Sequence, residues 1–561
     1  MKIFFKNGLN LTLNKNSYLA SGGQADIYVN GGMAYKIYHK NADVISAGKI
    51  KELSVLAYDN IIKPEDILLD INNNYIGYNM KYIQDTYTLC QLFPRAFRDR
   101  NSLSNQLVLD LIRRLQDTVA HCHKHNILIV DLNEMNFLVA KDFHEIFAID
   151  CDSYKTPHYP ATAIMDSIRD HQVKHNNFTE SSDWFSFGIL SFMLFSGIHP
   201  FKGTHNTYKT MDERMGHNIS VLNKDVKVPK VCLDFNTVIP EVYRNWFRAI
   251  FDGGKRLAPP TDLQITAIVN TIIQKISGSD NFNITELEDY VSTTVDVLWG
   301  PVKSVLTSDG LYINKVLNKN IPTKANFITL PKSNAVVAGW VENRSLKLVN
   351  ATQRTELKYD LEVQDVFAYD NRLYIKAQTS ILELQFNEIG TNIIPTSKVV
   401  AQVLEHSSLI FDGCVIQSLL GATYVSIFPK SGEHYQFHTS ELDKLKIVDA
   451  KFDRNVLMIL CNDKGKYNKY IFRFDILMTG DYDLRILKDV QYQDLNFTVL
   501  DTSACVHILG DGELEIFSSK KDSKTIKQVV DPIIDGGIKI FRDGAGLLFS
   551  RGSKIYSMKM K

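Results

Sequence analysis

Two neighbouring stretches, ILIVDLNEMNFLV (127–139) and FAIDCD (147–152), contain the residues that decide the fold of the first half of the chain. Asp131 stands five residues before Asn136, between apolar runs, and Asp150 follows the next apolar run. Phosphoryl transfer needs a carboxylate that orients the attacking hydroxyl and hard oxygen ligands that hold Mg²⁺ against the phosphates. The spacing therefore favours phosphoryl transfer over the alternative of three unrelated turn residues.

A glycine pair lies upstream, in YLASGGQADIY (18–28). Glycine has no Cβ, so the backbone N–H groups around Gly22 and Gly23 can approach phosphate oxygens closely. A plain Gly-Gly turn in a hairpin is the alternative, and this motif alone does not decide between the two.

The strand that follows carries a lysine between apolar residues. Asn30–Gly32 is a strong hairpin signal, and the next strand reads AYKIY (34–38). Period two places Lys36 on the same face as the first and last residues of that strand. A lysine in this setting needs an anionic partner or a path to solvent, and the candidate partner is Glu52 on the next helical stretch.

In this order the motifs resemble those of the protein-kinase family, and the resemblance covers residues 1–275. It implies a bilobal α+β kinase fold that uses ATP and Mg²⁺. The patterns D-L-N-x-x-N and D-C-D further resemble an atypical bacterial and phage branch of Ser/Thr kinases. The matching residues are Ala34–Ile37 for V-A-I-K, Asp131 and Asn136 for H-R-D-x-x-x-x-N, Asp150–Asp152 for D-F-G, Asp183–Gly188 for D-x-W-S-x-G, Gly197–Phe201 for G-x-x-P-F, Phe251–Arg256 for the late arginine motif, and His123 for the histidine eight residues before the catalytic aspartate.

The resemblance implies a role for each matching site residue. Lys36 would hold the α/β-phosphates and pair with Glu52, and Asp131 would accept or orient the proton of the substrate hydroxyl. The implied nucleotide-binding residues are Gly22, Gly23, Ile27, Ala34, Lys36, Met80 and Ile83, the last two bounding the adenine hinge, and the implied Mg²⁺ ligands are Asn136, Asp150 and Asp152.

The chain also departs from the family pattern. Ile129–Val130 replaces H-R, so the usual anchor for a phosphorylated activation loop is missing. Asn133 replaces the catalytic-loop lysine, which predicts slow turnover. Asp152 replaces the glycine of D-F-G and either adds a Mg²⁺ contact or stiffens the loop. No A-P-E motif is readable, but Asp170 lies near its place, and we predict that it pairs with Arg256.

The second half has a different pattern, in which short β-rich runs are broken by Gly, Asn and Asp. Aspartates recur at intervals of 42, 41, 48 and 42 residues, and about four strands fill each interval. A period in the forties with four strands is typical of a propeller blade, so we predict a β-propeller of six or seven blades. A β-sandwich or a solenoid is the alternative. The recurring residues are Asp370, Asp412, Asp453, Asp501 and Asp543.

These patterns predict a kinase-like domain over 1–275, a linker over 276–289 and a propeller over 290–561. The boundary candidate is Gln274–Asn283, which contains a Ser-Gly-Ser-Asp run. The strand Leu311–Val316 is predicted to pair with the final strand, Lys554–Met560, and so to close the ring.

Composition limits the compartment and the partners. The 561 residues include 63 Lys+Arg and 63 Asp+Glu, and this balance disfavours a general nucleic-acid or polybasic membrane binder. The longest apolar run, Phe185–Phe195, is too short to cross a bilayer, and no secretory signal is readable at the N-terminus. The seven cysteines show no C-x-x-C spacing, so we expect a cytoplasmic protein without disulfides or a zinc ribbon.

Three functions are compatible with the sequence. The first is an active Ser/Thr kinase whose propeller recruits a protein substrate or partner. The second is a nucleotide-binding pseudokinase scaffold. The third is a propeller-centred structural or interaction protein, in which the first half is vestigial. The oligomeric state and the phosphoacceptor are not predicted.

Overall fold

The computed structural model describes residues 1–261, 278–475, 481–491, 493–510 and 512–561. The first half contains a seven-stranded antiparallel sheet, in the order β2-β1-β6-β7-β5-β4-β3, and a three-stranded sheet, β10-β9-β8, followed by a mainly helical part. The strands are β1 (Lys2–Phe5), β2 (Asn10–Thr12), β3 (Tyr18–Ser21), β4 (Ala25–Asn30), β5 (Met33–Tyr38), β6 (Ile67–Leu69), β7 (Tyr75–Lys81), β8 (Thr86–Thr88), β9 (Phe137–Ala140) and β10 (Ile146–Ala148). The α-helices are α1 (Ala47–Leu53), α2 (Arg95–Arg100), α3 (Asn105–Lys124), α4 (Glu180–Ser196), α5 (Met211–Gly216), α6 (Phe235–Val238) and α7 (Glu241–Phe247).

Two long helices, α3 and α4, form the helical core of the first half. Ser104 caps α3 by accepting a hydrogen bond from the backbone N–H of Leu107 at 3.2 Å. The helix then buries the apolar stripe that continues through Leu111 and Leu115. In α4 nearly every residue is buried, and the helix ends at Gly197, whose φ of 76° suits a glycine after the last turn. These helices form the core beneath the catalytic stretch.

The second half consists, within the described residues, of seven four-stranded antiparallel sheets. Six of them use four consecutive strands each, and the seventh combines β11 with β36, β37 and β38. The strands are β11 (Phe282–Asp289), β12 (Thr294–Leu298), β13 (Ser304–Thr307), β14 (Gly310–Ile313), β15 (Val316–Asn318), β16 (Asn326–Thr329), β17 (Val336–Glu342), β18 (Ser345–Asn350), β19 (Thr355–Glu356), β20 (Asp365–Tyr369), β21 (Arg372–Ala377), β22 (Ser380–Ile389), β23 (Asn392–Gln402), β24 (Ser408–Phe411), β25 (Cys414–Leu419), β26 (Ala422–Ile427), β27 (Tyr435–His438), β28 (Lys446–Asp453), β29 (Val456–Asp463), β30 (Lys466–Phe474), β31 (Tyr482–Leu487), β32 (Phe497–Val499), β33 (Ala504–Ile508), β34 (Glu513–Ser518), β35 (Ile526–Val530), β36 (Ile538–Asp543), β37 (Gly546–Arg551) and β38 (Lys554–Met560).

The strand that pairs with the end of the chain differs from the predicted one. The final strand pairs antiparallel with β11, from Phe282↔Met560 to Asp289↔Lys554. Leu311 instead lies in β14 and pairs within its own sheet. The predicted linker 276–289 therefore contains a strand, since the apolar residues at 282 and 284 pack into the sheet. The first part of the predicted boundary, up to residue 277, lies outside the described residues.

The two halves share one buried apolar cluster. Leu111 of α3 and Phe187 of α4 belong to it, and so do Val456 and Met458 of β29. Polar contacts add to this interface: the side chain of Arg100 bonds Asp296 at 3.2 Å. The second half therefore packs against the first through a continuous apolar core.

No helix in the described ranges is long and apolar enough to cross a membrane. All seven cysteines are free thiols.

The predicted pair of Asp170 and Arg256 is confirmed. Arg256 donates from Nε and Nη2 to the two oxygens of Asp170, both at 2.6 Å, and its guanidinium stacks over the ring of Phe185 at 4.3 Å. Asp170 is buried and the Arg256 side chain nearly so. We call residues 153–182, between the metal-binding motif and the Asp183 motif, the activation segment. The two-bond pair fixes this segment to the helical core.

We predict that Asp170→Ala lowers the free energy of unfolding by about 3 kcal/mol, because it leaves a buried guanidinium without its partner. Thermal unfolding of the full chain measures the loss. A double-mutant cycle with Arg256→Met should show that the two substitutions are not additive, and additive losses would contradict the pairing.

Candidate active site

The register of the large sheet brings the predicted nucleotide-binding residues onto one face. Lys36 pairs with Ile27 on one side and with Tyr78 on the other. Ala34, two residues away on the same strand, pairs with Met80. Because side chains alternate across a strand, directly paired residues and those two positions away share a face. The apolar positions predicted around the adenine ring therefore lie beside the lysine.

The glycine turn and the hinge flank this face. Gly22 and Gly23 form an exposed turn between β3 and β4, in which the backbone N–H of Gly22 bonds the carbonyl of Ala25 at 2.8 Å. A Cβ placed on Gly23 would meet nothing within 4 Å, so the turn leaves open space around its backbone. Ile83 lies half-buried in the segment between β7 and β8.

Lys36 is buried and meets two carboxylates from the loop after β10. Its Nζ donates to Asp150, and to both oxygens of Asp152 at 2.9 Å. Burial alone would lower the pKa of this ammonium, but the two carboxylates outweigh that effect and raise it above its usual range. The lysine therefore stays charged, as phosphate binding requires.

The predicted pair between Lys36 and Glu52 is wrong. Glu52 accepts a bond from Nδ1 of His158, which lies 2.6 Å from its Oε1. Helix α1 has only seven residues, and its buried positions include Lys49, which donates to the backbone carbonyl of Asp152 at 2.7 Å. The helix thus turns a lysine, not a glutamate, toward the site.

Asp152 does not occupy the place predicted for it as a Mg²⁺ ligand. In addition to Lys36, it accepts hydrogen bonds from the hydroxyls of Tyr38 at 2.5 Å and Tyr78 at 2.8 Å. An ionised carboxylate has about four acceptor positions, and these donors fill them. Side chains of the sheet therefore use the acceptor positions of this buried carboxylate, which is not available to a metal ion.

A buried aspartate on α4 holds the catalytic loop. Asp183 accepts the backbone N–H groups of Ile129 at 2.8 Å and Val130 at 3.0 Å, and Nε2 of His123 lies 3.0 Å from the same carboxylate. Val130 has a φ of 65°, a conformation that a β-branched residue rarely adopts. The hydrogen bonds that Asp183 accepts stabilise this strained turn, which directs Asp131 into the site.

Asp131 and Asn136 are hydrogen-bonded to each other. The amide nitrogen of Asn136 donates to the carbonyl of Asp131 at 3.0 Å and to its Oδ2 at 3.2 Å. The other carboxylate oxygen, Oδ1, accepts the backbone N–H of Met165 at 2.8 Å. Because the nitrogen of Asn136 is engaged with Asp131, its side-chain oxygen is the atom that can meet a cation.

Asn136 and Asp150 fit a Mg²⁺ site. Asp150 has a φ of 63°, and its side chain is 41% exposed, whereas that of Asp152 is 7% exposed. One amide oxygen and one accessible carboxylate match the small number of protein ligands that Mg²⁺ takes beside phosphates. Within the described residues no group of three or more His, Cys, Asp or Glu side chains forms a metal site of another kind.

The catalytic loop also contacts the second half of the chain, which the sequence did not reveal. Glu134 is buried and accepts hydrogen bonds from the Tyr467 hydroxyl at 2.6 Å and from Asn462 at 3.1 Å. Burial raises the pKa of its carboxyl group. Gly465 lies in the turn between β29 and β30. It packs so closely on the activation segment that a Cβ at this position would collide with Ser167.

A family model described as "Protein kinase domain" matches residues 30–237. Among curated proteins, a putative serine/threonine-protein kinase of Acanthamoeba polyphaga mimivirus is 23% identical over 139 residues, 25% of this chain and 48% of that protein. Serine/threonine-protein kinase 1 of Lymantria dispar multicapsid nuclear polyhedrosis virus is 28% identical over 127 residues, 22% of this chain and 43% of that protein.

Among solved structures, the Cydia pomonella granulovirus kinase PK-1 is similar, with a TM-score of 0.29 and 18% identity over 36% of this chain and 74% of that one. The chain spans less than half the length of the curated relatives described. The family match identifies a protein kinase domain in the first half of the chain.

Removing the Tyr467 hydroxyl tests the contact with the catalytic loop. We predict that Tyr467→Phe lowers the free energy of unfolding by about 2 kcal/mol, because a buried carboxylate loses one of its two donors. Thermal unfolding measures the effect. Tyr470→Phe, on the same strand but in a separate apolar cluster, is the control. Equal stability of Tyr467→Phe and wild type would contradict the contact.

His199 provides a pH test of the activation segment. Its Nε2 lies 2.8 Å from the carbonyl of Ser167, and its Nδ1 accepts the N–H of Phe201 at 3.2 Å, so the neutral ring is required. Burial lowers the pKa of His199 to about 3 from the ordinary 6.5. The unfolded chain therefore binds more protons between pH 6.5 and 3, and stability falls as the pH drops through that range.

We predict that His199→Gln flattens this dependence. The amide supplies one donor and one acceptor but does not titrate. The Tm of the variant should therefore change less than the Tm of wild type between pH 6.5 and 4.5. The wild-type loss attributable to His199 is at most about 1.4 kcal/mol per pH unit. The exposed His171→Gln is the control, and parallel profiles for His199→Gln and wild type would refute the assignment.

Proposed function

We propose that the chain is an ATP- and Mg²⁺-dependent protein kinase of the Ser/Thr type, which transfers the γ-phosphoryl group to protein hydroxyls. The observation that carries the proposal is a chain of contacts between four side chains that are distant in sequence. Lys36 donates to Asp150, and Asn136 donates to Asp131. The two pairs are joined because the backbone carbonyl of Asn136 accepts the N–H of Ile149, the residue before Asp150, at 2.9 Å. The kinase-domain match over 30–237 and the names of the viral relatives support it.

Each of these side chains has a distinct task. Mg·ATP, when bound, would supply the γ-phosphoryl group and the cation that neutralises its charge. Lys36 would hold the α/β-phosphates from the sheet side. Asp131 would orient the hydroxyl of the substrate and take up its proton, with Asn136 fixing the carboxylate. Asn136 and Asp150 would hold the metal.

The position of Asn133 supports slow turnover. It stands where the kinase resemblance implies a lysine, and its side-chain oxygen accepts the backbone N–H of Met135 at 2.8 Å. It is buried and uncharged, so it stabilises the loop but adds no positive charge near the γ-phosphate.

We further infer that the seven sheets close into a seven-bladed propeller. Pairing of β11 with the final strand joins the two ends of the region. Side chains link successive sheets: Asn326 donates to the carbonyl of Val366 at 3.0 Å, and Lys539, in the last sheet, donates to the carbonyl of Val295 at 2.6 Å. We propose that this propeller binds a protein substrate or scaffold partner, rather than nucleic acid or membrane, in the cytoplasm.

Phosphoryl transfer from γ-labelled ATP tests the proposal. We predict that Asp131→Asn lowers the rate by roughly 10²–10⁴-fold, since it removes the group that takes the hydroxyl proton. Lys36→Met should also lower it. Asp142→Asn, at an exposed turn, is the control and should match wild type. If wild type labels neither itself nor a cell lysate yet binds Mg·ATP, the chain is a pseudokinase.

A further inference from the structure

We infer that Asp152 is the positioning residue for Lys36, in the role that the resemblance assigned to Glu52. This inference rests on the proposed function, because it concerns how the phosphate-binding lysine is held. The observation that carries it is the set of side-chain donors around Asp152: Lys36 to both oxygens at 2.9 Å, Tyr38 at 2.5 Å and Tyr78 at 2.8 Å.

All these donors lie on one face of the sheet. Tyr38 is two residues after Lys36 on β5, and Tyr78 is the direct partner of Lys36 on β7. Tyrosine hydroxyls are rigid donors, because the ring leaves only two side-chain torsions. The carboxylate is therefore held between donors of two strands, β5 and β7. Because the tyrosine hydroxyls occupy its other acceptor positions, the ammonium can approach it from a single direction.

The two carboxylates that contact Lys36 differ in accessibility. The side chain of Asp150 is 41% exposed, and that of Asp152 is 7% exposed. When Asp150 turns to a metal ion, Lys36 keeps Asp152 as its counter-ion. The lysine is then neither free to follow Asp150 nor left as an uncompensated buried charge. Two carboxylates on one loop thus separate metal binding from lysine positioning.

The anchor of the lysine consequently lies on the metal-binding loop and not on helix α1. Glu52 is bound to His158, a mostly exposed residue. The link from α1 to the loop is Lys49, which donates to the backbone carbonyl of Asp152. Displacement of α1 would therefore break a bond to the backbone of Asp152, whereas the partners of the Asp152 side chain all lie on the sheet.

Asp152→Asn tests the role, with Glu52→Gln as the matched control, since both replace a carboxylate by its amide. In Asp152→Asn the lysine would depend on Asp150 alone and would compete with Mg²⁺ for it. We expect the Mg²⁺ concentration that half-saturates ATP binding to rise about tenfold, which corresponds to about 1.4 kcal/mol. Glu52→Gln should stay within about twofold of wild type, well inside that difference.

The measurements are equilibrium binding of ATP at graded Mg²⁺ concentrations, KM for ATP, kcat, and thermal unfolding of the unliganded chain. Asp152→Glu should recover part of the Mg²⁺ affinity if the charge matters, whereas a purely structural role would show only as a lower Tm. If Asp152→Asn does not fold, Tyr78→Phe removes one donor without changing the charge and should raise the Mg²⁺ requirement in the same direction.

The outcomes separate this inference from the proposed function. If wild type transfers phosphate and Asp152→Asn matches it, or if Glu52→Gln is equally damaging, the inference is overturned and the kinase assignment stands. If wild type binds Mg·ATP without transferring phosphate, the kinase proposal fails, and the binding data still decide the role of Asp152. If wild type does not bind Mg·ATP at all, both are overturned.

Discussion

The bond between the buried ammonium of Lys36 and the two carboxylates of one short loop is the interaction on which the candidate site depends. It joins the N-terminal sheet to the helical part of the first half, because Lys36 belongs to β5 and both aspartates follow β10. A buried charge without partners would be unstable there, so sheet and loop have to meet at this point. Ile27, Ala34 and Met80 take their positions from the same sheet as Lys36.

Local patterns in the sequence predicted the parts of the site that depend on a single element. The five-residue spacing singled out Asp131 and Asn136, which the structure joins by a hydrogen bond within one loop. The alternation along β5 and β7 fixes which residues share a face with Lys36. The partner of that lysine depends instead on how a helix rotates against a loop. Helix α1 is short, and its rotation turns Lys49 rather than the predicted Glu52 toward the loop, which no local pattern in the sequence encodes.

In the second half, too, the sequence predicted what a local pattern encodes and missed what depends on contacts between distant segments. The repeat was visible where an aspartate lies at the end of the first strand of a sheet or just after it, as at Asp370, Asp412 and Asp453. The sheets that begin with β12 and β16 lack this marker, because their first turns use other residues. The strand β11 was mistaken for a linker, since four of its five exposed residues are polar, although it pairs with the final strand on both sides of a bulge at Leu287.

The contacts between the halves give the second half a structural role at the catalytic loop, in addition to the recruitment that we propose for it. Glu134 lies in the loop that carries Asp131 and Asn136, and its buried carboxylate receives its hydrogen bonds from β29 and β30. A buried carboxylate with only neutral donors is stable only while those donors stay in place. Movement of the second half would therefore disturb the catalytic loop directly. By contrast, the donors to the Asp152 side chain come from the N-terminal sheet. In the proposed mechanism, the side of the site that would hold the phosphates is thus set within the first half, and the side that would orient the hydroxyl depends on both halves.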